Sequence, residues 1–301
     1  MRRRTLLRLT GLFLASTAMP TTVWAKTITH AKGTVEVPDD PKRVVGMYTT
    51  DADYGLVLGL PMVGIGTARG EAGQDFAAYQ KAYDLSGVSP VAIFPNANYE
   101  QIASLRPDLV IASYLIEENG YDLLSAIAPT LWHDQPRWQD ALIFIADAVG
   151  KADVATKFIA DYDERVKALQ GKIRQGQTLA MISFENDTFR IVQSSRMPIF
   201  YEEFGFRRTA NTPEVFAGEK RYSLEQIDVL ADADVIVMMT TPAEGGGRLQ
   251  GEYDALISAP GWSELPAVKA GKTHYLGYEL TYGSPLVALE VLRFAETSLA
   301  G

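Results

Sequence analysis

The stretch "NYEQIASLRPDLVIAS", residues 98–113, has a counterpart in "LEQIDVLADADVIVMM", residues 224–239. Both copies read E-Q-I-x-x-L and then pass through an acidic residue into a short apolar run typical of a buried strand. A short helix that leads into a buried strand is a repeating unit of α/β folds with parallel sheets. One such unit in each half of the chain predicts two α/β lobes, with the repeated phrase at equivalent places.

Strand and helix patterns alternate on both sides of the two copies. Apolar runs predict strands at residues 43–47, 62–66, 108–112, 129–133, 178–184, 189–192 and 234–239. Helices are predicted at residues 51–60, 100–105, 121–127, 201–204, 225–230 and 285–299, after a polar hairpin or strand pair at residues 26–40. The predicted fold class is α/β, with two lobes built on mostly parallel sheets.

A long helix is predicted between the lobes, in "KADVATKFIADYDERVKALQGKIRQG". Its apolar residues form one helical stripe: Val154, Phe158, Ile159, Tyr162, Val166, Leu169 and Ile173. We expect Asp153 to cap its start and Gly176 to end it. Some 20 residues give a helix of about 30 Å, which is a stiff connection that leaves a ligand cleft between the lobes.

These patterns divide the chain into four parts. The prediction is a signal peptide at residues 1–25, an N-terminal α/β lobe at 26–150, a linking helix at 151–175 and a C-terminal α/β lobe at 176–301.

The first 25 residues have the layout of a secretory signal. A basic start is followed by an apolar stretch from Leu9 to Ala18 and by small residues toward Ala25. Within it, Arg3-Arg4-Thr5-Leu6-Leu7-Arg8 fits the twin-arginine export pattern, and an ordinary secretory signal with an arginine-rich start is the alternative. Both routes predict a protein exported from the cytoplasm.

Composition and charge narrow the class of the exported protein. The chain has no cysteine, which excludes disulfides and removes the acceptor of a bacterial lipoprotein anchor. We therefore expect a soluble monomer, free in a Gram-negative periplasm and not lipid-anchored. Loss of four arginines with the signal lowers the net charge from −9 to −13, which argues against a nucleic-acid partner.

The motifs of common enzymes are missing from the sequence. It contains no H-E-x-x-H, no G-x-S-x-G, no P-loop and no cysteine nucleophile. His30, His133 and His274 are far apart, so structural or surface roles are expected, with no metal bound directly by the protein. The loop Gly245–Arg248 lacks the lysine of a phosphate loop. We expect no catalysis, although an exported two-lobe enzyme with a triad from distant residues stays open.

Aromatic and basic residues follow the predicted strands, where ligands bind in open α/β sheets. Tyrosine offers an apolar face with a polar tip, and arginine offers a fork of donors for carboxylate or catecholate oxygens. These residues predict a bulky, anionic, partly aromatic ligand, and packing roles are the alternative for each. The candidate ligand-binding residues are Tyr48, Arg69, Tyr114, Arg196, Tyr222, Tyr278 and Tyr282.

Three stretches resemble the helical-backbone periplasmic binding proteins, the receptors of ABC importers for ferric siderophores, haem and vitamin B12. They are the opening "ITHAKGTVEVPDDPKRVVGMYTTDADYGLVLGLPMVGIGT", the phrase "YEQIASLRPDLVIAS" and the near-terminal "APGWSELPAVKAGKTHYL". The resemblance runs from about Ile28 to Leu299. It implies two lobes on one long helix, no cofactor, and a ferric siderophore whose iron is held by the siderophore itself.

The resemblance also gives the repeated glutamates a role. In these receptors a glutamate on each lobe docks onto arginines of the permease dimer in the inner membrane, and Glu100 and Glu225 occupy those motif positions. Two carboxylates, one per lobe, can bind a symmetric dimer through charge-assisted pairs. The alternative is that each glutamate only complements the dipole at a helix start.

Among these receptors, the ferric hydroxamate group is the most similar. Tyr114, and approximately Arg69, match the residues that contact the iron-chelating groups in those receptors, and Tyr282 matches an aromatic position of their C-terminal lobe. Ala217 and Leu280 stand where their tryptophans line the pocket. The resemblance therefore leaves hydroxamate, catecholate and carboxylate siderophores open, with haem and cobalamin as further alternatives.

Overall fold

The computed structural model describes residues 25–67, 76–93, 96–114, 119–174, 176–185, 187–216, 218, 220–240, 248–281 and 283–300. Residues 1–24 of the predicted signal peptide lie outside this range. So do Arg69, Ala217 and Tyr282, and so does all of the Gly245–Arg248 loop except Arg248 itself.

The described chain begins with the predicted hairpin. Strands β1 (Ala25–His30) and β2 (Gly33–Pro38) pair antiparallel, and Gly33 takes a positive φ of 129° in the tight turn between them. A T-shaped contact between His30 and Tyr121, with ring centroids 5.5 Å apart, attaches the hairpin to the first half of the chain.

A six-stranded sheet forms the first half, in the order β6-β5-β4-β3-β7-β8. Only the β5–β6 pair is antiparallel among its ladders. Its strands are β3 (Val44–Gly46), β4 (Met62–Thr67), β5 (Ser89–Ile93), β6 (Asn96–Ala97), β7 (Leu109–Ser113) and β8 (Thr130–His133). Its helices are α1 (Thr49–Val57), α2 (Tyr99–Ser104), α3 (Gly120–Ser125) and α4 (Trp138–Ala148).

The linking helix α5 spans Ala152–Gln170. Its predicted apolar stripe faces the core: Tyr162, Val166 and Leu169 are buried, and the residues of its first two turns, Val154, Phe158 and Ile159, pack against the core while partly buried. Both expected ends are wrong. The N-cap is Lys151, with Asp153 inside the first turn, and the helix stops at its C-cap Gly171 and not at Gly176. Glycine is a poor helix former, and the chain tightens there through a bond from the Lys172 N–H to the Leu169 carbonyl.

A second sheet forms the other half, with the path β12-β10-β9-β13-β14 and β11 paired to β9. β11 and β13 pair parallel with β9, and β14 pairs parallel with β13. β10 pairs antiparallel with both β9 and β12, and β12 lies at the edge of the sheet. The strands are β9 (Thr178–Glu185), β10 (Thr188–Ile191), β11 (Arg207–Arg208), β12 (Tyr222–Ser223), β13 (Val235–Thr240) and β14 (Thr273–Gly277). The helices are α6 (Arg248–Ile257), α7 (Pro266–Lys269) and α8 (Pro285–Ser298).

The chain connects the two halves twice. α5 leads from the first half to the second, and the segment 278–284 leads back to α8, which packs on α1, α4 and α5. One hydrophobic core runs through both halves, since it joins Tyr54 and Leu142 to Val237 and Leu292. A shared core of this kind limits how far the halves can move apart.

The predicted fold class is confirmed: the chain forms two α/β units on mostly parallel sheets. Among the described residues, no helix has the length and apolar character to cross a bilayer.

Candidate ligand-binding cleft

The first wall of the cleft lies at the carboxyl ends of the strands in the N-terminal sheet. A Cβ on Gly46 would come within 2.5 Å of the Ala52 Cα, and a Cβ on Gly66 within 2.4 Å of the Tyr48 Cα. Only glycine therefore allows the first turn of α1 to lie directly across the ends of β3 and β4. The sequence "VVGMYTT" thus fixes where the start of α1 sits.

A buried acid–histidine pair stands beside this turn. The Asp51 carboxylate lies 3.0 Å from His133 Nε2, and both side chains are almost fully buried. The His133 ring also meets the Tyr54 ring edge-on at 4.9 Å. His133 ends β8, so this pair ties the start of α1 to the edge of the sheet, in keeping with the structural role expected for this histidine.

Tyr48 and Tyr114 occupy very different positions on this wall. The Tyr48 side chain is buried in the hydrophobic core. Its backbone N–H donates to the Asp51 carboxylate at 3.2 Å. Tyr114 follows β7 and is 70% exposed, so its ring offers a large face to a ligand.

The second wall carries a fixed arginine. Arg196 Nη2 donates to the Tyr278 hydroxyl at 2.9 Å and to Thr281 Oγ1 at 3.2 Å, and its guanidinium lies 5.2 Å from the centroid of the Tyr278 ring. The structure therefore joins two predicted residues that are 82 positions apart. These hydroxyl and ring partners orient the guanidinium, and a fixed fork of donors is a group that binds anionic ligands.

Tyr222 has a packing role in the structure. It is buried, stacks on Phe189 with ring centroids 5.4 Å apart, and is covered by the Lys220 ammonium at 4.8 Å. It nevertheless borders a cavity of about 210 Å³ in the C-terminal half.

The residues that line this cavity include four that were not among the candidates from the sequence: Arg190, Val215, Phe216 and Lys220. Arg190 and Lys220 supply positive charge to it, and Val215 and Phe216 are each 61% exposed. The stretch "EVFAGEKRY" could have indicated this surface, because it places Val215 and Phe216 in a polar loop close to basic residues. Large exposed apolar side chains in such a loop often mark a binding surface. A second missed cavity, of about 470 Å³, lies near the start of α2 and is bordered by Thr67, Asn98 and Gln101.

The two walls meet where the chain returns to the first half. Ser284 Oγ donates to Asp53 of α1 at 2.5 Å, so the segment that carries Tyr278 and Thr281 ends against the first turns of α1. This contact places Arg196 and Tyr278 on the same side of the molecule as the carboxyl ends of the N-terminal strands.

Glu100 and Glu225 are both exposed, each in the first turn of its helix. Asn98 Oδ1 accepts the Gln101 N–H at 3.0 Å, and Gln226 Oε1 accepts the Ser223 N–H at 3.1 Å, so a side chain caps each helix start. The second copy differs in being a 3₁₀ helix, Leu224–Leu230, with a non-helical backbone at Gln226. The permease-docking role of the two glutamates stays a prediction.

Within the described part of the chain, no group of three or more His, Cys, Asp or Glu residues is arranged to hold a metal ion.

The comparison with protein families decides the classification. The family described as periplasmic binding protein matches residues 45–280, which cover both sheets and the helix between them. This chain belongs to the periplasmic binding protein family. Its membership agrees with the three motifs from which the resemblance was inferred.

Individual members of the family are similar over most of their length. The probable siderophore-binding lipoprotein YfiY of Bacillus subtilis is 32% identical over 260 residues, covering 83% of this chain and 79% of that protein. The putative ABC transporter substrate-binding lipoprotein YhfQ, also of Bacillus subtilis, is 29% identical over 266 residues, covering 83% and 80%. Both relatives are named lipoproteins, whereas the present chain has no cysteine.

A solved structure shows the same architecture with a ligand. Staphylococcus aureus SirA, crystallised with staphyloferrin B, superposes with a TM-score of 0.71 at 26% identity, covering 90% of this chain and 96% of SirA.

Proposed function

We propose that this periplasmic binding protein captures a ferric siderophore and delivers it to the permease dimer of an ABC importer. The observation that carries the proposal is the structural similarity to SirA, which extends over 90% of this chain. SirA was crystallised in complex with staphyloferrin B. The name of YfiY points in the same direction.

The chemistry of the cleft supports an anionic ligand. The hydroxyl groups of Tyr278 and Thr281 orient the Arg196 guanidinium, and the Tyr278 ring lies beside it. Exposed Tyr114 offers a second face from the opposite wall. A ferric siderophore combines negatively charged oxygen donors with a large partly apolar surface, which fits a site of fixed donors and exposed rings. No catalytic step is part of this proposal.

The proposed ligand site keeps all of the candidates from the sequence. Arg69 and Tyr282 are included on sequence grounds alone. The other members are Tyr48, Tyr114, Arg196, Tyr222 and Tyr278. Because both are buried, Tyr48 and Tyr222 are proposed to act by shaping the walls. Beside Tyr222, the exposed Lys220 and Phe216 are proposed to meet the ligand. The lobes themselves are proposed as residues 26–150 and 176–301, on either side of α5.

The proposed location is the periplasm, as a monomer that is not attached to lipid. YfiY and YhfQ, in contrast, are named lipoproteins. Lipid attachment of that type modifies a cysteine, and the present sequence contains none.

The delivery step can be tested on the two glutamates. Glu100→Ala together with Glu225→Ala should leave ligand affinity unchanged and abolish siderophore-dependent iron uptake, because exposed carboxylates contribute to docking and not to the cleft. The matched control is Glu164→Ala with Glu202→Ala, which removes two exposed acids elsewhere and should leave uptake intact. Loss of ligand affinity in the first double variant would contradict the assignment.

A further inference from the structure

The cavity beside Tyr222 belongs to the same wall of the cleft as Arg196. Gln193 lines this cavity, and it directly precedes the turn Ser194–Arg196. The Ser194 N–H donates at 2.8 Å to the carbonyl of Pro213, which lines the cavity from the opposite strand of the loop. One hydrogen-bonded segment therefore joins the cavity to the arginine of the cleft.

The direction of Arg190 places the cavity toward the first half of the chain. Side chains alternate between the two faces of a strand, so Arg190 leaves β10 on the face opposite to Phe189 and Ile191. Those two residues pack in a core of the C-terminal half alone, whereas Val192 packs in the core that both halves share. Arg190 therefore lies on the face of the sheet that is turned toward the first half.

The loop that closes the cavity is anchored to the 3₁₀ helix Leu224–Leu230 and to the residues after it. The Asn211 amide donates to the Val229 carbonyl at 2.9 Å, and the Ala210 N–H donates to the Asp232 carboxylate at 2.6 Å. These bonds hold one wall of the cavity in place. A wall that is already formed lowers the cost of ordering the site when a ligand binds.

Lys220 brings a positive charge to the cavity. Gly218 takes a positive φ of 93° and its carbonyl accepts the Lys220 N–H at 3.2 Å, so a tight turn carries the lysine back toward Tyr222. Its ammonium lies 4.8 Å from the centroid of the Tyr222 ring. The described residues that line the cavity include no Asp or Glu, and Glu214 of the same loop pairs with Arg208 at 3.0 Å.

The volume of about 210 Å³ limits what this cavity can hold. Pockets that bury a whole drug-sized ligand measure about 300 to 1,000 Å³, so the cavity is too small for a complete ferric siderophore. Val215 and Phe216, each 61% exposed, form an apolar rim. A positive charge behind an apolar rim fits one compact anionic group on a short carbon arm.

We propose that this cavity is a subsite for a carboxylate arm of the ligand, and that the ligand is therefore a ferric siderophore of the carboxylate class. Lys220 donates a charge-assisted hydrogen bond to the carboxylate, and Phe216 covers the carbon atoms next to it. A ferric trihydroxamate is neutral, and a ferric tricatecholate keeps its negative oxygens on the iron, so neither presents a separate anionic arm. The assignment rests on the proposed function and names its class of siderophore.

Calorimetric titration with several iron complexes tests the subsite. The probes are the ferric complexes of citrate and rhizoferrin, which carry carboxylates, a neutral ferric trihydroxamate and a ferric tricatecholate. The wild type would be compared with Lys220→Met, which keeps an unbranched side chain over Tyr222 and removes the charge. Lys172→Met is the matched control, because Lys172 is an exposed lysine between α5 and β9, outside the cavity.

The wild type should bind at least one carboxylate complex at least tenfold more tightly than the trihydroxamate and the tricatecholate. Lys220→Met should weaken that complex about 10- to 100-fold, as expected for the loss of one hydrogen bond to a charged group. The same variant should change the affinity for the other two complexes by less than about threefold. Lys220→Arg should restore most of the affinity, and Lys172→Met should match the wild type.

Three results would overturn the subsite and leave the receptor function standing. They are tightest binding of the trihydroxamate or the tricatecholate, an equal loss for all complexes in Lys220→Met, and an unchanged affinity for the carboxylate complexes in that variant. Failure of every iron complex to bind the wild type would contradict the proposed function itself, and the subsite with it.

Discussion

Replacing Asp53 with Asn should change the way in which global stability depends on pH. The pKa of Asp53 is raised by burial from 3.8 to about 7 in the native protein. Unfolding exposes the carboxyl group, so the unfolded chain releases a proton that the native protein holds. Asp53 therefore contributes stability that is complete below about pH 4 and is lost as the pH rises to 7.

The magnitude follows from the size of the pKa shift. A shift of roughly three pH units corresponds to about 4 kcal/mol, at about 1.4 kcal/mol per unit. The difference in unfolding free energy between the wild type and Asp53→Asn should fall by about this amount from pH 4 to pH 8. Asn also loses one acceptor for Ser284 or Gln80, which adds a pH-independent cost of about 1–3 kcal/mol.

Urea unfolding of both proteins at several pH values measures the difference directly. The slope with pH is the diagnostic quantity, because the constant cost cancels when pH values are compared. Asp140→Asn, which changes an exposed acid in the first turn of α4, provides the control and should track the wild type throughout. A difference that stays constant from pH 4 to pH 8 would refute the inference that buried Asp53 holds a proton.

Three other predictions concern packing, the cleft and export. Tyr162→Phe removes the 2.6 Å hydrogen bond to the half-buried Glu203 carboxylate, so urea unfolding should show a loss of about 1–3 kcal/mol, and no loss would contradict the bond. Gly66→Ala should displace the start of α1, because a Cβ would lie 2.4 Å from the Tyr48 Cα. Both a lower Tm and weaker ligand binding are expected, and an unchanged Tm would refute this close packing. Arg3→Lys with Arg4→Lys should leave unprocessed precursor in the cytoplasm on immunoblots of cell fractions, whereas normal export would favour an ordinary secretory signal.

The sequence predicted those elements whose apolar residues have a clear period. The stripe of α5 faces the core on one side of the helix, and the continuous apolar runs of β7 and β13 are buried on both faces of their sheets, as expected. α4 was not predicted, although Trp138, Leu142 and Ile145 follow a helical spacing and are buried. The apolar Ile143 and Phe144 fall outside this stripe and obscure its period in the sequence. The end of α5 was misplaced because the sequence contains two glycines, and only the backbone geometry distinguishes Gly171 from Gly176.

The site was less predictable than the fold. Arg196 and Tyr278 could be named as separate candidates, but their contact depends on the path of segment 278–284. From the sequence, Tyr48 and Tyr222 were expected in ligand-facing loops, but both side chains are buried in the structure. Asp51 and Asp53 look like the solvent-facing acids of a short helix. Their burial requires partners 82 and 231 positions away, His133 and Ser284, which local sequence cannot reveal.

The central claim is that the cleft binds a ferric siderophore, and a titration of the purified mature protein tests it most directly. Trp138, Arg196 and Ser284 line the same small cavity. The fluorescence of Trp138 should therefore change when a ligand contacts Arg196. Ferric hydroxamate, catecholate and carboxylate siderophores, haem and cobalamin would be compared, with Arg196→Ala as the matched variant. We predict saturable quenching at micromolar or lower concentration by at least one ferric siderophore, weakened at least tenfold in Arg196→Ala. Absence of a response to every siderophore, or saturable binding of haem or cobalamin alone, would contradict the account.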